Sequence, residues 1–352
     1  MRPAPMSSAR PTRRRAGLLV VLLAPLALAL VACGSSSNDP AALTTTPAST
    51  APSEPATTDG ASTQPSQDSA ADPTVRGGYG DVPKVTMPGG TAPTALRVKT
   101  LQTGKGDAVR SGDLLVVNYA GLLWKTGKSF DSSFDRGQPA SFAIGVGQVI
   151  PGWDKGLVGQ TVGSRVLLVI PPADGYGSAG QPQAGIKGDD TLVFVVDILG
   201  AYGPNDSAKG KPTPTEDDAL PAVSVLPKKP EITIPPGDAP GKLVAVPVVT
   251  GSGPTVKKGD TVVVQYVGKI WSSGKQFDAS WDRGQPASFA IGVGQVIPGW
   301  DKGLVGQTVG SRVLLVIPPA DGYGSAGQSQ AGIKGDDTLV FAVDILATYP
   351  KA

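Results

Sequence analysis

The strongest constraint on this chain is that it repeats itself. The 47 residues at 135–181 recur unchanged at 282–328, 147 positions later. The same offset holds outside that block: 84–88 faces 231–235, Asn118-Tyr119 faces Gln265-Tyr266, and 191–194 faces 338–341, with no insertion between. Solenoid and propeller units run about 20–50 residues and cannot bury a core alone. A unit of about 120 residues with its own apolar strands has the size of an autonomous domain. The chain is one domain written twice, and each copy is expected to fold and to carry its own site.

The formal net charge of +2 misleads, because its excess sits at one end. Arg2, Arg10, Arg13, Arg14 and Arg15 precede Cys33 and no acidic residue does, so the chain from Cys33 onward carries −3. Such a chain lacks the clustered basic face that nucleic acid requires, and nucleic acid is not expected as a partner. The sequence contains no histidine, and its one cysteine is Cys33. Zinc and other transition-metal sites draw on His and Cys. The usual nucleophilic arrangements need a His or a thiolate. Carboxylate-only Ca²⁺ or Mg²⁺ sites stay open, but no spaced acidic loop of the EF-hand kind occurs. No cofactor and no metal is expected.

Residues 1–32 read as an export signal, with Arg13-Arg14-Arg15 ahead of an apolar run over 16–32 that Pro25 interrupts. The run is short for a membrane-spanning helix, which needs about 20 residues. It ends in Leu30-Val31-Ala32-Cys33-Gly34, which resembles the bacterial lipobox. That resemblance implies lipidation of Cys33, which becomes the N-terminus and holds the protein on the outer face of the cytoplasmic membrane. The rival reading is an ordinary cleaved signal with a chance cysteine. Residues 33–81 are Ser, Thr, Pro, Ala and Gln with few large apolar side chains. They bury too little surface to offset their ordering entropy and are expected to form a disordered tether.

Two domains follow, expected at 82–203 and 229–352, with a polar, Pro-bearing linker over 204–228. Runs of β-branched, partly alternating residues predict strands at 96–101, 114–119, 166–170 and 191–199, and again at 243–248, 261–267, 313–317 and 338–346. One helix per copy is expected, opening on Pro151 and Pro298, because proline suits the first helical position. Many strands and one short helix make each copy an α+β domain: an antiparallel sheet with a helix packed on one face.

Six motifs in register carry a resemblance. Val117-Asn118-Tyr119-Ala120-Gly121, Phe130-Asp131-Ser132-Ser133 and Gly147-Gln148-Val149-Ile150-Pro151-Gly152-Trp153 come first. Ile170-Pro171-Pro172, Gly175-Tyr176-Gly177 and Thr191-Leu192-Val193-Phe194 follow. Together they resemble the FKBP-type peptidyl-prolyl cis-trans isomerases, the family bound by macrolides such as rapamycin. The resemblance covers nearly all of both copies. It implies a bent antiparallel sheet of five or six strands wrapped around one short helix, with the pocket between them. Carried over residue by residue, it implies a site of Tyr119, Phe130, Asp131, Val149, Ile150, Trp153, Tyr176 and Phe194. In the second copy the positions are Tyr266, Phe277, Asp278, Val296, Ile297, Trp300, Tyr323 and Phe341. On this reading the proline ring rests on Trp153 or Trp300. Tyr176 or Tyr323 donates its hydroxyl to a substrate carbonyl, and the Ile150 or Ile297 backbone N–H donates to another.

The residue types suit that chemistry independently. Rotation about a peptide bond is opposed by a barrier of about 18–20 kcal/mol, because the planar amide is resonance-stabilised. No bond is made or broken, so no nucleophile, metal or hydride carrier is needed. The twisted transition state has lost resonance and separates less charge, so a dry aromatic pocket favours it relative to water. Each residue also has a plainer role open to it. Trp153, Phe130 and Phe194 would serve any sheet core, Tyr176 a turn, and Asp131 a solvated loop.

The sequence departs from the family pattern at Ala140 and Ala287, where a second aromatic is usual, and at Gln181 and Gln328, where a histidine is familiar. It departs again at 187–190 and 334–337, Lys-Gly-Asp-Asp in both copies. These changes are expected to alter the pocket wall and rim, and so to bear on macrolide affinity and on the residue preferred before proline. The expected whole is a monomeric lipoprotein with two isomerase domains, assisting the folding of secreted, proline-containing chains. The alternative is a non-catalytic chaperone or scaffold that holds proline segments in the same pockets. A surface adhesin or solute-binding lipoprotein would leave the six motifs unexplained.

Overall fold

The computed structural model describes residues 71–213, 217–225 and 228–351. The export signal, Cys33 and the first part of the tether lie outside the described residues. Among the described residues no helix is long and apolar enough to cross a membrane.

Alternation along one strand sets the layers of each domain. In Leu114–Leu123, Leu115, Val117 and Tyr119 enter the main core, while Leu114 and Val116 emerge on the opposite face. Domain one has a hairpin of β1 (Thr74–Arg76) and β2 (Lys84–Thr86). Its sheet is built from β3 (Arg97–Gln102), β4 (Leu114–Leu123), β5 (Ser129–Ser132), β6 (Ala140–Ala143), β7 (Arg165–Ile170) and β8 (Leu192–Tyr202). All pairs are antiparallel, in the order β3-β7-β8-β4-β5, and β6 shares the outer edge of β4 with β5. Between β5 and β6 the chain leaves that edge in one turn, α1 (Ser133–Arg136), capped by the Ser132 hydroxyl and ended by Gly137 in the left-handed region at φ 65°.

The helix α2 (Pro151–Leu157) lies across the sheet and buries Trp153 and Leu157. Two glycines in seven residues make a poor isolated helix. Packing explains them: a Cβ on Gly152 would lie 2.6 Å from Ile170 Cγ2, and one on Gly156 2.7 Å from Leu168 Cδ2. Both face the sheet, and their bareness lets the helix axis approach it.

Domain two repeats this plan with β9 (Lys211–Pro212), β10 (Ala222–Val223), β11 (Ile232–Thr233), β12 (Val244–Thr250), β13 (Thr261–Ile270), β14 (Gln276–Ala279), β15 (Ala287–Ala290), β16 (Arg312–Ile317), β17 (Leu339–Tyr349) and α3 (Pro298–Leu304). Its sheet order is β14-β13-β17-β16-β12-β9, with β15 on β13. The eight strands expected from the sequence correspond to β3, β4, β7, β8, β12, β13, β16 and β17, most running one to three residues longer at an end. The short β5, β6, β14 and β15 were not expected, because four residues give too brief an alternation to read.

Two expected boundaries are corrected. Residues 71–81, assigned to the disordered tether, are folded. The β1–β2 hairpin covers the outer face of the sheet, where Val75, Val85 and Met87 pack on Trp124, Leu167, Val193 and Val195. The linker over 204–228 is likewise largely built into domain two. Lys211–Pro212 adds an edge strand to β12, and β10 pairs with β11. Leu220 and Val223 pack on a cluster that includes Leu314, Val316 and Val340.

The reason lies beneath these arms. Arg165 and Asp197 are fully buried as a bidentate pair, Nε to Oδ1 at 2.5 Å and Nη2 to Oδ2 at 2.7 Å. The remaining guanidinium hydrogens need acceptors, and the arm supplies them: Nη1 donates to Gly77 O (2.8 Å) and Nη2 to Asp81 O (2.6 Å). In domain two Arg312 and Asp344 do the same, with Ser224 O at 2.7 Å, Val225 O at 3.1 Å and Lys228 O at 2.7 Å.

Candidate functional site

Where α2 crosses the inner face of the sheet, its N-terminal end leaves a cavity of about 490 Å³. It is lined by Tyr119, Phe130, Asp131, Phe142, Gln148, Val149, Ile150, Pro151, Trp153, Gly175, Tyr176 and Phe194. All eight residues singled out in domain one are in this lining, although they are spread over 76 positions of sequence from Tyr119 to Phe194.

Trp153 forms the floor. Its ring meets Tyr119, Phe142 and Phe194 edge-on, with centroids 5.4, 5.3 and 5.3 Å away. Phe130 stands edge-on to Phe194 at 5.5 Å. Edge-to-face packing of this kind is favourable beyond simple area burial and locks each ring's direction. Gly121, on β4 between these rings, has no room for a side chain: a Cβ would lie 2.7 Å from Phe130 Cζ and 2.8 Å from Phe194 Cε1.

The polar side of the cavity is a closed triangle. The Tyr119 hydroxyl donates to Asp131 Oδ2, and Arg136 pairs with Asp131 Oδ1. Arg136 Nη2 also donates to the Tyr119 hydroxyl at 3.0 Å, with its guanidinium carbon 5.4 Å from the ring centroid. Burial pushes the Tyr119 hydroxyl up to about 12, the hydrogen bond to Asp131 adds to that, and Arg136 works against it. Tyr119 is therefore a neutral donor at any physiological pH. Tyr176 sits at the rim, 38% exposed, with its hydroxyl raised by burial and by the charge of Asp131.

Two further contacts hold the walls. Asp154, in the first turn of α2, accepts from Gly145 N (2.6 Å) and Gly147 N (2.8 Å), fixing the loop that leads into Gln148, Val149 and Ile150. Lys155 pairs with Asp174 at 2.5 Å, tying α2 to the turn before Tyr176. Ile150 caps α2 in extended conformation (φ −60°, ψ 144°), at the end where a helix leaves its N–H groups without internal partners.

Domain two reproduces the arrangement. Trp300 meets Tyr266, Phe289 and Phe341 at 5.2, 5.6 and 5.4 Å, and Phe277 meets Phe341 at 5.4 Å. Val296 and Ile297 pack on the same cluster. Asp278 accepts from the Tyr266 hydroxyl and pairs with Arg283, whose Nη2 donates to that hydroxyl at 2.8 Å. Tyr323 is 38% exposed, and its hydroxyl is raised by burial and by Asp278.

Sequence reasoning missed Phe142, Arg136 and Gly121 as parts of the site. Phe142 carried a signal, being an aromatic on an alternating stretch. Arg136 did not, because only the turn α1 brings it back over Tyr119. A third correction concerns the departures from the family pattern. Ala140, Gln181 and 187–190 are all outside the cavity lining. Lys187 N donates to Asp190 Oδ2 (2.8 Å) and Asp189 pairs with Lys125 (2.5 Å), so that segment closes a turn of its own. Among the described residues no cluster of three or more His, Cys, Asp or Glu could hold a metal ion.

The family model for the FKBP-type peptidyl-prolyl cis-trans isomerase matches the chain twice, at residues 105–199 and 253–346. The chain is 44% identical over 120 residues to an FK506-binding protein of Streptomyces anulatus, a match that spans 34% of this chain and 97% of the relative. It is 33% identical over 237 residues to the peptidyl-prolyl cis-trans isomerase FKBP9 of Rattus norvegicus, spanning 67% of this chain and 35% of that protein. The chain thus covers about a third of the length of this mammalian relative. Among solved structures, FkpA from Escherichia coli is 46% identical over 31% of this chain and 49% of its own, with a TM-score of 0.29. With both repeats matched and one relative covered almost end to end, this chain belongs to the FKBP-type peptidyl-prolyl cis-trans isomerase family.

Proposed function

We propose that both domains catalyse cis-trans rotation of X-Pro bonds, in proline-containing chains outside the cytoplasmic membrane. The observation that carries the reading is the Trp153 floor. It is an apolar, aromatic-walled surface beside the Tyr176 hydroxyl and the Ile150 N–H. A proline ring on that floor places its amide between Val149, Ile150, Phe130 and Phe194. Loss of amide resonance removes charge separation, so the dry walls stabilise the twisted state more than water does. Tyr176 donates its hydroxyl to a carbonyl of the substrate, and the Ile150 N–H to another. Tyr119, tied down by Asp131 and Arg136, keeps the wall rigid.

Placement at the membrane rests on the sequence alone: the Arg13-Arg14-Arg15 region, the apolar run and Cys33 at its end. There the protein assists folding of exported chains, and macrolides such as rapamycin compete for the same cavities. Two sites on one chain raise the local concentration of catalyst for substrates with several prolines.

The test is the cis-to-trans rate of a short X-Pro peptide with the full chain, its Trp153→Ala and Trp300→Ala variants, and the double variant. Each single variant should retain part of the acceleration and the double variant none. A well-folded parent chain that binds the peptide yet leaves its rate at the uncatalysed value would replace catalysis with a binding-module role.

A further inference from the structure

The two domains meet through the same face. A small apolar cluster joins Val116, Leu199 and Tyr202 to Val263, Leu346 and Tyr349. These six form three pairs 147 positions apart, the offset of the repeat, while Leu114 and Ala347, also in the cluster, correspond to Thr261 and Gly200. An interface in which each partner offers the same patch is isologous, and equivalent residues touch each other only at its two-fold axis. Tyr202 and Tyr349 do touch: their hydroxyls are 2.5 Å apart, one donating and one accepting.

We propose that this face is a docking surface whose partner is the other repeat of the same chain. The chain is then an internal pseudo-homodimer that holds its two cavities in one fixed mutual orientation. Three observations support it. Strand alternation sends Leu115, Val117 and Tyr119 toward the cavity core and Val116 toward the other domain, so docking uses the face of the domain-one sheet opposite its cavity. The repeats differ at the axis, where domain one has Gly200 and domain two Ala347. A Cβ on Gly200 would lie 2.1 Å from the Tyr349 hydroxyl and 2.6 Å from that of Tyr202, so a side chain there would displace the tyrosine pair.

The connector is no hinge either. Ala208 N donates to Asp344 Oδ2 at 2.8 Å, Lys209 N and Gly210 N to Gly310 O at 3.1 and 3.0 Å, and β9 follows on the sheet edge. The inference needs the fold of each domain but not its isomerase activity.

The experiment is an interspin distance measurement on the full chain. Labels go on Val146→Cys and Val293→Cys, equivalent exposed positions, with the native thiol removed by Cys33→Ser. A single narrow distance is expected, and a broad distribution, as for domains on a flexible string, overturns the proposal. Val116→Asp with Val263→Asp should broaden that distance. Gly200→Val, which would crowd the Tyr349 and Tyr202 hydroxyls directly, should do the same. A narrow, unshifted distance in the folded Gly200→Val variant would also overturn the proposal. Peptide isomerisation measured on the same samples reports the catalytic reading separately, since either result can occur without the other.

Discussion

A methyl group at Gly121 would press on Phe130 Cζ and Phe194 Cε1, at 2.7 and 2.8 Å, so Gly121→Ala should tilt the aromatic wall without breaking the sheet. In a Trp300→Ala background, where only domain one works, it should lower kcat/KM at least as steeply as it lowers stability. Peptide kinetics beside urea unfolding would show this, and unchanged kinetics would mean the wall has slack. Tyr119 makes a second prediction at this scale. Its hydroxyl is raised from 10.0 to about 12, so above pH 10 the folded protein retains a proton that the unfolded chain releases. The associated stability is complete below pH 10 and is lost as pH rises through 12. Tm should fall across that window, and Tyr119→Phe should flatten part of the fall. Activity should be level at neutral pH, because this donor does not titrate there. Of the residues involved, Trp153 and Tyr119 were legible in the sequence because large aromatics in ordered motifs are rare. Gly121 was not, since its importance is the absence of a side chain opposite two rings that only folding brings there.

The arm formed by β1, β2 and the residues between them depends on one buried ion pair. Removing one partner of such a pair strands a buried charge and typically costs about 3–5 kcal/mol. Arg165→Ala should therefore destabilise domain one by about that much, and should release Gly77 and Asp81 from their only guanidinium partner. Limited proteolysis should then cut within 74–86 well before the sheet; an arm that stays resistant would show that the packing of Val75, Val85 and Met87, with the Tyr79–Ile198 and Gly80–Asp197 hydrogen bonds, suffices to hold it. The two arms illustrate why this element was hidden. Gly77 and Asp81 in one copy are Ser224 and Lys228 in the other, yet both pairs accept the same guanidinium. The contacts are to backbone carbonyls, which every residue has, so side-chain identity did not record them. By contrast, the helix at Pro151 and the long apolar strands were readable because proline geometry and β-branched alternation are local properties.

Over the whole molecule the stretch from Gly203 to Lys211 mounts one domain on the other. Its amides are hydrogen-bonded to domain two, so exchange at Ala208, Lys209 and Gly210 should be as slow as in the β16 and β17 strands. Exchange at free-peptide rates would mean the mount opens in solution. The sequence by itself determined that there are two domains, that both share one fold, and that the reaction cannot rest on histidine or thiolate chemistry. It also named eight residues that line the domain-one cavity. These follow from the identity of residues and their order along the chain. The tertiary structure alone decided that the expected tether end and linker are folded arms, that Arg136 closes over Tyr119, and that the two copies meet face to face. Those contacts join residues from 17 to more than a hundred positions apart, through a single turn, main-chain atoms, bare glycines or the outward face of a strand. Such surfaces have no signature in a linear sequence until the sheet has formed and assigned each side chain its side.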